Sequence, residues 1–310
     1  MHRVISVVAL ILFSAPATAA EDLSWAYPVT PRADAPDNLV LKQVPDSTKA
    51  YTQAQIDDPF NPPDWFPDQH PAMPPVVAQG QKPMVRACAQ CHLPSGDGHP
   101  ESASLAGLPV PYLQRQMTEF KNSRRKGVRA TTMITIAQAI SDADTLAASE
   151  YFASLRPGVW TRVIETDTVA KSYIGAGGMR FAASEGGTEP IGNRIIVLPQ
   201  DEARAKSRDP RSGFIDYVPT GSTAKGEALV SSGAGGKTIP CSICHGQALR
   251  GIGDLPAIAG RPPTYVVRQL NDMKNGARSG TSMALMNAVV EQLTIEDMIA
   301  IAAFVGAREP

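Results

Sequence analysis

The sequence predicts a mainly α-helical protein with two similar domains in tandem, an irregular or β insert between them and a proline-rich N-terminal arm. The main observation is an internal repeat: Cys88-Ala89-Gln90-Cys91-His92 returns as Cys241-Ser242-Ile243-Cys244-His245, at an offset of 153 residues (241 − 88). Apolar residues after each copy recur at helical spacing. Prolines, which block helix interiors, crowd the stretch before the first copy.

The repeat continues at the same offset beyond the two pentapeptides. Its matched residues include Tyr112 with Tyr265, Arg125 with Arg278, Met133 with Met286 and Ser141 with Thr294. A constant offset without gaps indicates one structural unit used twice. We therefore expect a first domain at 84–155, an insert at 156–221 and a second domain at 222–308.

Helical spacing and capping residues predict the helices of each domain. A middle helix is expected at about 109–122, and its repeat at 265–274. Ser141 and Thr294 are expected as N-caps of the final helices, because an aspartate follows each of them at the capping-box position. A further helix is expected to lead into Cys88.

The insert has no counterpart in the first half of the chain. Its β-branched stretches at 160–165 and 194–198 predict two short strands, with pairing between the two as one arrangement. The stretch at 201–211 carries charges of both signs and is expected to be solvated.

The two pentapeptides have the spacing of covalent c-type haem attachment. In each copy two thiols one helical turn apart can each bind a vinyl group of one porphyrin, and the histidine that follows can bind the iron. The thiols are Cys88 and Cys91 in the first copy and Cys241 and Cys244 in the second, and the histidines are His92 and His245. Zinc or dithiol redox sites are less favoured, because no second Cys/His pair lies near either motif to complete a tetrahedral site.

The repeat also nominates the ligand on the other side of each iron. Methionine opposite histidine raises the potential of c-type haems, and Met133 and Met286 occupy equivalent positions eight residues before Ser141 and Thr294. Met283 is the competing candidate in the second copy, but its counterpart is Ala130. Core packing is the alternative role for any of these methionines.

The N-terminal region has two parts. Residues 1–20 resemble a secretory signal, with a short positive start, an apolar run and Ala17-Thr18-Ala19 as the cleavage pattern. Export predicts a periplasmic protein with no membrane span after cleavage. Residues 21–83 are expected to form an extended arm, whose aromatic residues either pin it to the body or, through Trp65 and Phe66, shield a haem edge.

Charge gives little indication of a large charged partner. The formal net charge is −1, so no global field recruits nucleic acid or a membrane. The repeated cations Arg125 and Arg278 are the first candidates for contact with haem propionates. The repeated Tyr112 and Tyr265 are candidates for lining the haem pockets.

The order of these features resembles a class I cytochrome c domain: Cys-x-x-Cys-His, then Leu105-Ala106-Gly107 or Ile258-Ala259-Gly260, a helix, a methionine and a final helix. Two such units resemble the soluble dihaem cytochromes c of bacterial periplasms, over about half of the chain. The resemblance implies a helical fold around each haem, with His92 and Met133, and His245 and Met286, as axial ligands. It also implies that a backbone carbonyl, at Ala103 and Pro256, contacts each axial histidine.

Three functions follow from these expectations. The leading one is a dihaem electron carrier between periplasmic redox partners, with both axial positions filled and no catalytic residue. A second is the cytochrome subunit of a larger dehydrogenase or oxidase, with the insert as its docking element. A third is a peroxidase-type enzyme, which needs an open iron position and a distal acid or base. His99 has Ile252 as its counterpart, and we expect it at the surface.

Overall fold

The computed structural model describes residues 23–29 and 39–310, so the expected signal segment at 1–20 lies outside the described residues. The described part of the arm is mostly extended. Its short elements are β1 (Leu41–Lys42), β2 (Tyr51–Thr52), α1 (Gln53–Ile56) and α2 (Pro75–Ala78). No helix in these described ranges is both long and apolar enough to cross a membrane.

Each domain is a set of helices around a core. The first contains α3 (Cys88–His92), α4 (Val110–Lys121), α5 (Thr131–Ala139) and α6 (Asp142–Ser154). After the insert, which carries α7 (Glu202–Lys206), the second contains α8 (Ser222–Ser232), α9 (Ser242–His245), α10 (Pro263–Lys274), α11 (Met283–Val290) and α12 (Ile295–Gly306). The bounds of α4 and α10 differ by the repeat offset of 153 residues at both ends.

The predicted caps of the final helices are confirmed. Ser141 accepts a hydrogen bond from the Asp144 amide at the start of α6. Thr294 forms a full capping box with Asp297 at the start of α12. Because α12 is buried on nearly all sides, it is apolar around its circumference rather than amphipathic.

The expectation of a helix leading into Cys88 was wrong. Residues 80–87 form a turn closed by a bridge between Gln81 and Val85, and the four-residue α2 is the only helix that directly precedes them among the described residues. Pro74, Pro75 and Pro83 explain the break, since proline lacks an amide donor and disfavours helix continuation. Val76 and Val77 of α2 pack in the first core beside α6. In the second domain, the longer helix α8 packs on α12.

The insert forms small sheets. Its strands are β3 (Thr161–Glu165), β4 (Thr168–Ala170), β5 (Ser172–Ile174), β6 (Arg180–Ala182), β7 (Thr188–Pro190), β8 (Ile196–Pro199) and β9 (Phe214–Val218). Both expected strands exist, as β3 and β8, but they do not pair with each other. Each pairs with β9, which is parallel to β3 and antiparallel to β8.

The expectation that residues 201–211 are solvated was wrong in part. Asp209 is 1% exposed and accepts a hydrogen bond from Arg204 at 3.1 Å. The buried carboxylate is thus paired, as a buried charge must be. The segment packs inward because it leads from α7 into the central strand β9.

Aromatic residues pin the arm to the insert. Trp65 is 2% exposed and packs with Val44, Ile56 and Phe66. Its indole donates a hydrogen bond of 2.8 Å to the carbonyl of Ser207. The arm is therefore part of the folded body, which is the anchoring role, and shielding of a haem edge by Trp65 and Phe66 stays a prediction.

His70 adds a pH-sensitive contact to this arm. Its two ring nitrogens lie 3.1 Å from the Asp64 carboxylate and 2.9 Å from the Pro71 carbonyl, so both nitrogens donate only when the ring is protonated. The hydrogen bond to Asp64 raises the pKa of His70 above its usual 6.5, against the opposing effect of burial. The contact therefore stabilises the arm fully below pH 6.5, and the stabilisation is lost as the pH rises through the raised pKa.

We expect the arm to become more susceptible to proteolysis as the pH rises above 6.5. The measurement is the rate of limited proteolysis within residues 39–83 at several pH values, for the wild type and for His70→Gln. His70→Gln should lose this part of the pH dependence and be cut faster at low pH. An unchanged pH profile in the variant would assign the effect to another group.

Candidate haem-binding sites

The two pentapeptides form single helical turns that hold their thiols and imidazole together. Cys88–His92 is α3, and the second copy begins at Cys241, the N-cap of α9. None of the four cysteines is in a disulfide. Burial raises the pKa of Cys88 to about 12 and that of Cys241 to about 11. Such thiols are poorly suited to thiolate redox chemistry, which needs a lowered pKa.

Both histidines are oriented in the same way. The Nδ1 atom of His92 lies 2.8 Å from the carbonyl oxygen of Ala103, and that of His245 lies 2.8 Å from the carbonyl oxygen of Pro256. Because a carbonyl only accepts, Nδ1 carries the proton and Nε2 is left as the metal-binding atom. Burial lowers the pKa of both rings, which favours the neutral imidazole that binds a metal. The expected carbonyl contact is present in both copies, with alanine or proline at the position.

A cavity of about 570 Å³ lies beside His92. Its wall includes Cys88 and Cys91 from α3, Leu113 and Phe120 from α4, and apolar residues of α5 and α6. The mostly apolar wall with a few converging polar groups is the usual composition of a cofactor site. Within residues 23–29 and 39–310, no cluster of three or more His, Cys, Asp or Glu side chains could hold a metal directly. Two thiols and one imidazole at the edge of an apolar cavity are the groups that a covalently attached porphyrin needs.

The two nominated methionines occupy equivalent helices. Met133 lies in α5 and lines the same cavity as His92, and Met286 lies in α11. Both are half-buried, and the competing Met283 is 9% exposed. Met283 and Met286 both pack against the second core, and Met133 packs against the first. Met117 and Met179 also line the first cavity. The role of Met133 and Met286 as axial ligands stays a prediction.

The domains meet through two copies of one contact. The amide of Lys126 donates to the Ala277 carbonyl at 2.8 Å, and the amide of Ser279 donates to the Arg124 carbonyl at 2.7 Å. Lys126 corresponds to Ser279 and Arg124 to Ala277 at the offset of 153 residues, so the two bonds are equivalent under the repeat. They flank a bridge between Arg125 and Arg278. The interface therefore has local two-fold symmetry, like that of a symmetric dimer.

Arg125 and Arg278 cross this interface to reach the other domain. Arg125 donates to Gln116 of its own domain at 2.9 Å, and to Gln269 and Tyr265 of the other at 2.8 and 3.1 Å. Arg278 makes the equivalent bonds, to Gln269 at 3.1 Å and across to Gln116 and Tyr112 at 2.9 and 3.2 Å. The four residues predicted near haem propionates or in the haem pocket are thus brought together at one place.

The electrostatics of this cluster suit an anionic group. Burial alone would raise the pKa of Tyr112, but the charges of Arg278 and Arg125 outweigh it and lower the pKa. Tyr112, Arg125 and Tyr265 all line the cavity beside His92. Guanidinium and phenol donors at the end of an apolar pocket match a carboxylate such as a haem propionate.

Segments of the arm and the insert, which we call the roof, pack beside the first cavity: residues 57–60, 177–179 and 207–214. Pro59 accepts a hydrogen bond from the Ala87 amide at 2.9 Å, and Arg208 donates to the Gln90 carbonyl at 2.7 Å. Gly177, Met179 and Arg208 line the cavity itself. Sequence reasoning missed these residues because they are remote in the chain and absent from the repeat.

The expectation that His99 is at the surface was wrong. It is 6% exposed, lines the cavity and packs edge-on against Phe214 of the roof, with ring centroids 6.3 Å apart. Burial lowers its pKa to about 3. Near it, burial raises the pKa of Glu101 to about 7, against the charges of nearby arginines. The β-branched and aromatic residues of Phe214-Ile215-Asp216-Tyr217-Val218 are the signal that could have located this strand.

Comparison with known proteins identifies the fold. A thiosulfate dehydrogenase electron acceptor of Thiomonas intermedia is 26% identical over 231 residues, covering 73% of this chain and 80% of the relative. Cytochrome c4 of Pseudomonas aeruginosa is 25% identical over 234 residues, covering 74% and 87%. The chain resembles the dihaem cytochromes c. It has their two tandem class I domains, and it is an electron-transfer protein of this kind.

A solved structure agrees with this assignment. The thiosulfate dehydrogenase (TsdBA) of Marichromatium purpuratum superposes with a TM-score of 0.51 at 26% identity, over 76% of this chain and 39% of that longer chain. No protein-family model matches the sequence. Over 70 residues the chain is 31% identical to cytochrome c-554(548) of Halomonas halodenitrificans and covers 84% of it, so it belongs to the cytochromes c, which bind haem c covalently.

Proposed function

We propose that this chain carries electrons between periplasmic redox partners through two covalently bound haems, and that it catalyses no reaction of its own. The observation that carries the proposal is the paired histidine geometry, with Nδ1 held 2.8 Å from a carbonyl in both copies of the motif. We also propose the domain limits 84–155 and 222–308, with the insert at 156–221 between them.

Each residue set has a separate task in this proposal. Cys88 and Cys91, and Cys241 and Cys244, hold the porphyrins by thioether bonds, so that the cofactors cannot dissociate. His92 and His245 would bind the iron through Nε2, and Met133 and Met286 would supply a second protein ligand to each iron. Haem iron, when bound, supplies a one-electron couple whose potential depends on these axial ligands.

The polar cluster between the domains positions the cofactors. Arg125, Arg278, Tyr112 and Tyr265 would hold the propionate groups of the haems through hydrogen bonds from their guanidinium and phenol groups. Because each arginine bonds to both domains, it fixes the orientation of one pocket relative to the other. A fixed orientation limits the reorganisation that accompanies each electron transfer.

A second candidate is the electron-accepting subunit of a dehydrogenase. The similarity to a thiosulfate dehydrogenase electron acceptor favours it, as does the superposition on a thiosulfate dehydrogenase chain. This candidate changes the partner and leaves the chemistry of the chain the same. Co-purification of a dehydrogenase with the exported protein, in a constant ratio, would support it.

The optical spectrum of the exported holoprotein tests the proposal. We expect two low-spin haems in the oxidised and reduced states, and no change when carbon monoxide is added to the reduced protein, because a methionine fills the sixth position of each iron. A haem that binds carbon monoxide would show that one position is open, and would favour the peroxidase-type alternative.

The number of haems is tested by mass. The wild type is expected to carry the mass of two haem groups, and the double variants Cys88→Ser/Cys91→Ser and Cys241→Ser/Cys244→Ser the mass of one each. The two variants are matched controls for each other, because each removes one motif and leaves its repeat intact. Loss of both groups from one variant would contradict independent sites.

A further inference from the structure

One buried arginine of the second domain crosses to the loop that orients His92. Arg261 is 5% exposed, and its guanidinium donates to three backbone carbonyls. The Nε atom donates to Ala257 of its own domain at 3.2 Å. The two terminal nitrogens donate to Ser104 at 2.6 Å and to Ala106 at 3.5 Å, both in the first domain. Arg261 therefore ties one loop of each domain to the other.

The carbonyls that Arg261 contacts in the first domain lie just beyond the one that orients the histidine. The Ala103 carbonyl accepts the hydrogen bond from Nδ1 of His92 at 2.8 Å, and Ser104 is the next residue of the chain. The Ser104 hydroxyl also donates to the Asp97 carbonyl at 2.6 Å, which closes the loop on itself. Because the peptide unit from Ala103 to Ser104 is planar, holding Ser104 restricts the direction of the Ala103 carbonyl.

The second copy of the motif holds its histidine with a proline instead. The carbonyl that contacts Nδ1 of His245 belongs to Pro256, at the same distance of 2.8 Å. The pyrrolidine ring fixes φ of its own residue and restricts the residue before it. Ala103 stands at the equivalent position of the first copy and has no such restraint of its own.

The support that Arg261 gives runs in one direction only. At the repeat offset of 153 residues, Arg261 corresponds to Leu108, which packs in the first core and has no hydrogen-bond donor in its side chain. The first domain therefore cannot return this contact to the second. The copy with alanine receives an arginine from its neighbour, and the copy with proline receives none at this position.

Another pair of arginines shows how a symmetric contact between the domains differs from this one. Arg268 donates to the Pro100 carbonyl at 2.5 Å, and its repeat counterpart Arg115 donates to the Asp254 carbonyl at 3.0 Å. Each domain thus contacts the corresponding loop of the other through this pair, whether that loop carries alanine or proline. Arg261 is the contact that distinguishes the two copies.

The restraint matters for redox chemistry because the carbonyl bond tunes the imidazole. A hydrogen bond from Nδ1–H to a carbonyl raises the basicity of a metal-binding histidine and fixes the orientation of its ring. A more basic ligand stabilises the oxidised iron more than the reduced iron, so a looser bond raises the potential. Anything that holds the Ala103 carbonyl in place therefore acts on the first haem.

We propose that Arg261 is a positioning residue for the first haem, and that it holds the Ala103 carbonyl against His92 in place of the proline that serves the second copy. This inference rests on the proposed electron-carrier function. It adds that the potential of the haem in the first domain depends on a residue of the second domain, and thus on the contact between them.

The test measures how fast the Nδ1–H proton of each axial histidine exchanges with deuterated solvent, by NMR of the reduced holoprotein with isotope-labelled histidine. Arg261→Leu places in the second copy the residue type that the first copy has there. It should raise the exchange rate of His92 by about tenfold, which corresponds to the loss of about one net hydrogen bond. The rate of His245, measured in the same sample, should stay within about twofold of the wild type.

The double variant Arg261→Leu/Ala103→Pro tests whether proline replaces the arginine. It should return the exchange rate of His92 to within about twofold of the wild type. Both variants lack the guanidinium charge, so the difference between their potentials reports on the restraint alone. The added proline should lower the potential of the first haem by about threefold in its one-electron equilibrium, or about 28 mV at 59 mV per tenfold.

Two further variants control for the loss of an arginine and for unfolding. Arg115→Leu removes the contact with the Asp254 carbonyl, in the loop that proline already restrains, and should leave both exchange rates within about twofold. Arg261→Gln is the milder variant, because the glutamine side chain ends where arginine has its Nε atom. It retains the donor for Ala257, loses those for the first domain, and should accelerate exchange at His92 as Arg261→Leu does.

Three results would overturn the proposal. These are an unchanged exchange rate of His92 in both Arg261→Leu and Arg261→Gln, an equal acceleration at His92 and His245, and a double variant that exchanges as fast as Arg261→Leu. Circular dichroism and the unfolding midpoint establish that each variant is folded. Two low-spin haems that each take up one electron in the wild type would leave the proposed function standing after any of these results.

Discussion

Replacing Met133 with histidine is expected to lower the midpoint potential of one haem by on the order of 0.1 V and to leave the other nearly unchanged. Met133 lines the cavity that also holds His92, and methionine stabilises the reduced iron relative to a second histidine. Met286→His should have the same effect on the other haem. Spectroelectrochemical titration of the holoprotein measures both potentials.

Two conservative substitutions control for simple changes in packing. Met117 lines the same cavity and has Leu270 as its counterpart, so Met117→Leu should move neither potential appreciably. In the second domain the corresponding control is Met283→Leu. If a control variant shifts a potential and the histidine variant in the same domain does not, the axial ligand has been assigned to the wrong methionine.

Replacing Gly226 with alanine is expected to destabilise the second domain by about 2 kcal/mol. Gly226 lies where α8 crosses α12, and a Cβ atom there would overlap the backbone carbonyl of Ala300 and lie 2.8 Å from the Cβ of Phe304. Backbone atoms of a buried helix cannot move aside as a flexible side chain can. The clash, about 3 kcal/mol, outweighs the gain of about 1 kcal/mol that alanine brings to a helix interior.

Guanidinium unfolding of the holoprotein, followed by circular dichroism, measures this loss as a lower midpoint. Glu227→Ala is the control, because Glu227 is the next residue of α8 and is exposed, so its replacement should change stability by less than about 0.5 kcal/mol. A midpoint for Gly226→Ala at or above that of the wild type would mean that the two helices are farther apart than described.

Local patterns predicted the helices well. The first middle helix was predicted from apolar residues at helical spacing after a proline, and α4 confirms it. Its repeat was predicted at 265–274, and α10 confirms it but begins two residues earlier, at Pro263. The caps at Ser141 and Thr294 were read from side chains three residues apart. These features depend on neighbours in the chain, so the sequence contains the information directly.

The features that sequence reasoning missed depend on distant contacts. Strand β9 joins β3 and β8 although about fifty residues of sequence separate β3 from β9. His99 has a polar side chain in a loop, and only the packing of Phe214 shows that it is buried. At the candidate sites, the repeat could match Arg125 with Arg278 but could not reveal that each bonds across the domain interface.

The roof also implies an order of steps in the folding of the protein. Its parts come from both sides of α3 in the chain, and the bond from Trp65 to Ser207 joins residues 142 positions apart. Contacts between such distant segments form late in folding, because their ends must first be brought together. The first motif therefore stays open until the insert has folded beside it, so attachment of haem at Cys88 and Cys91 is expected to precede the docking of the roof.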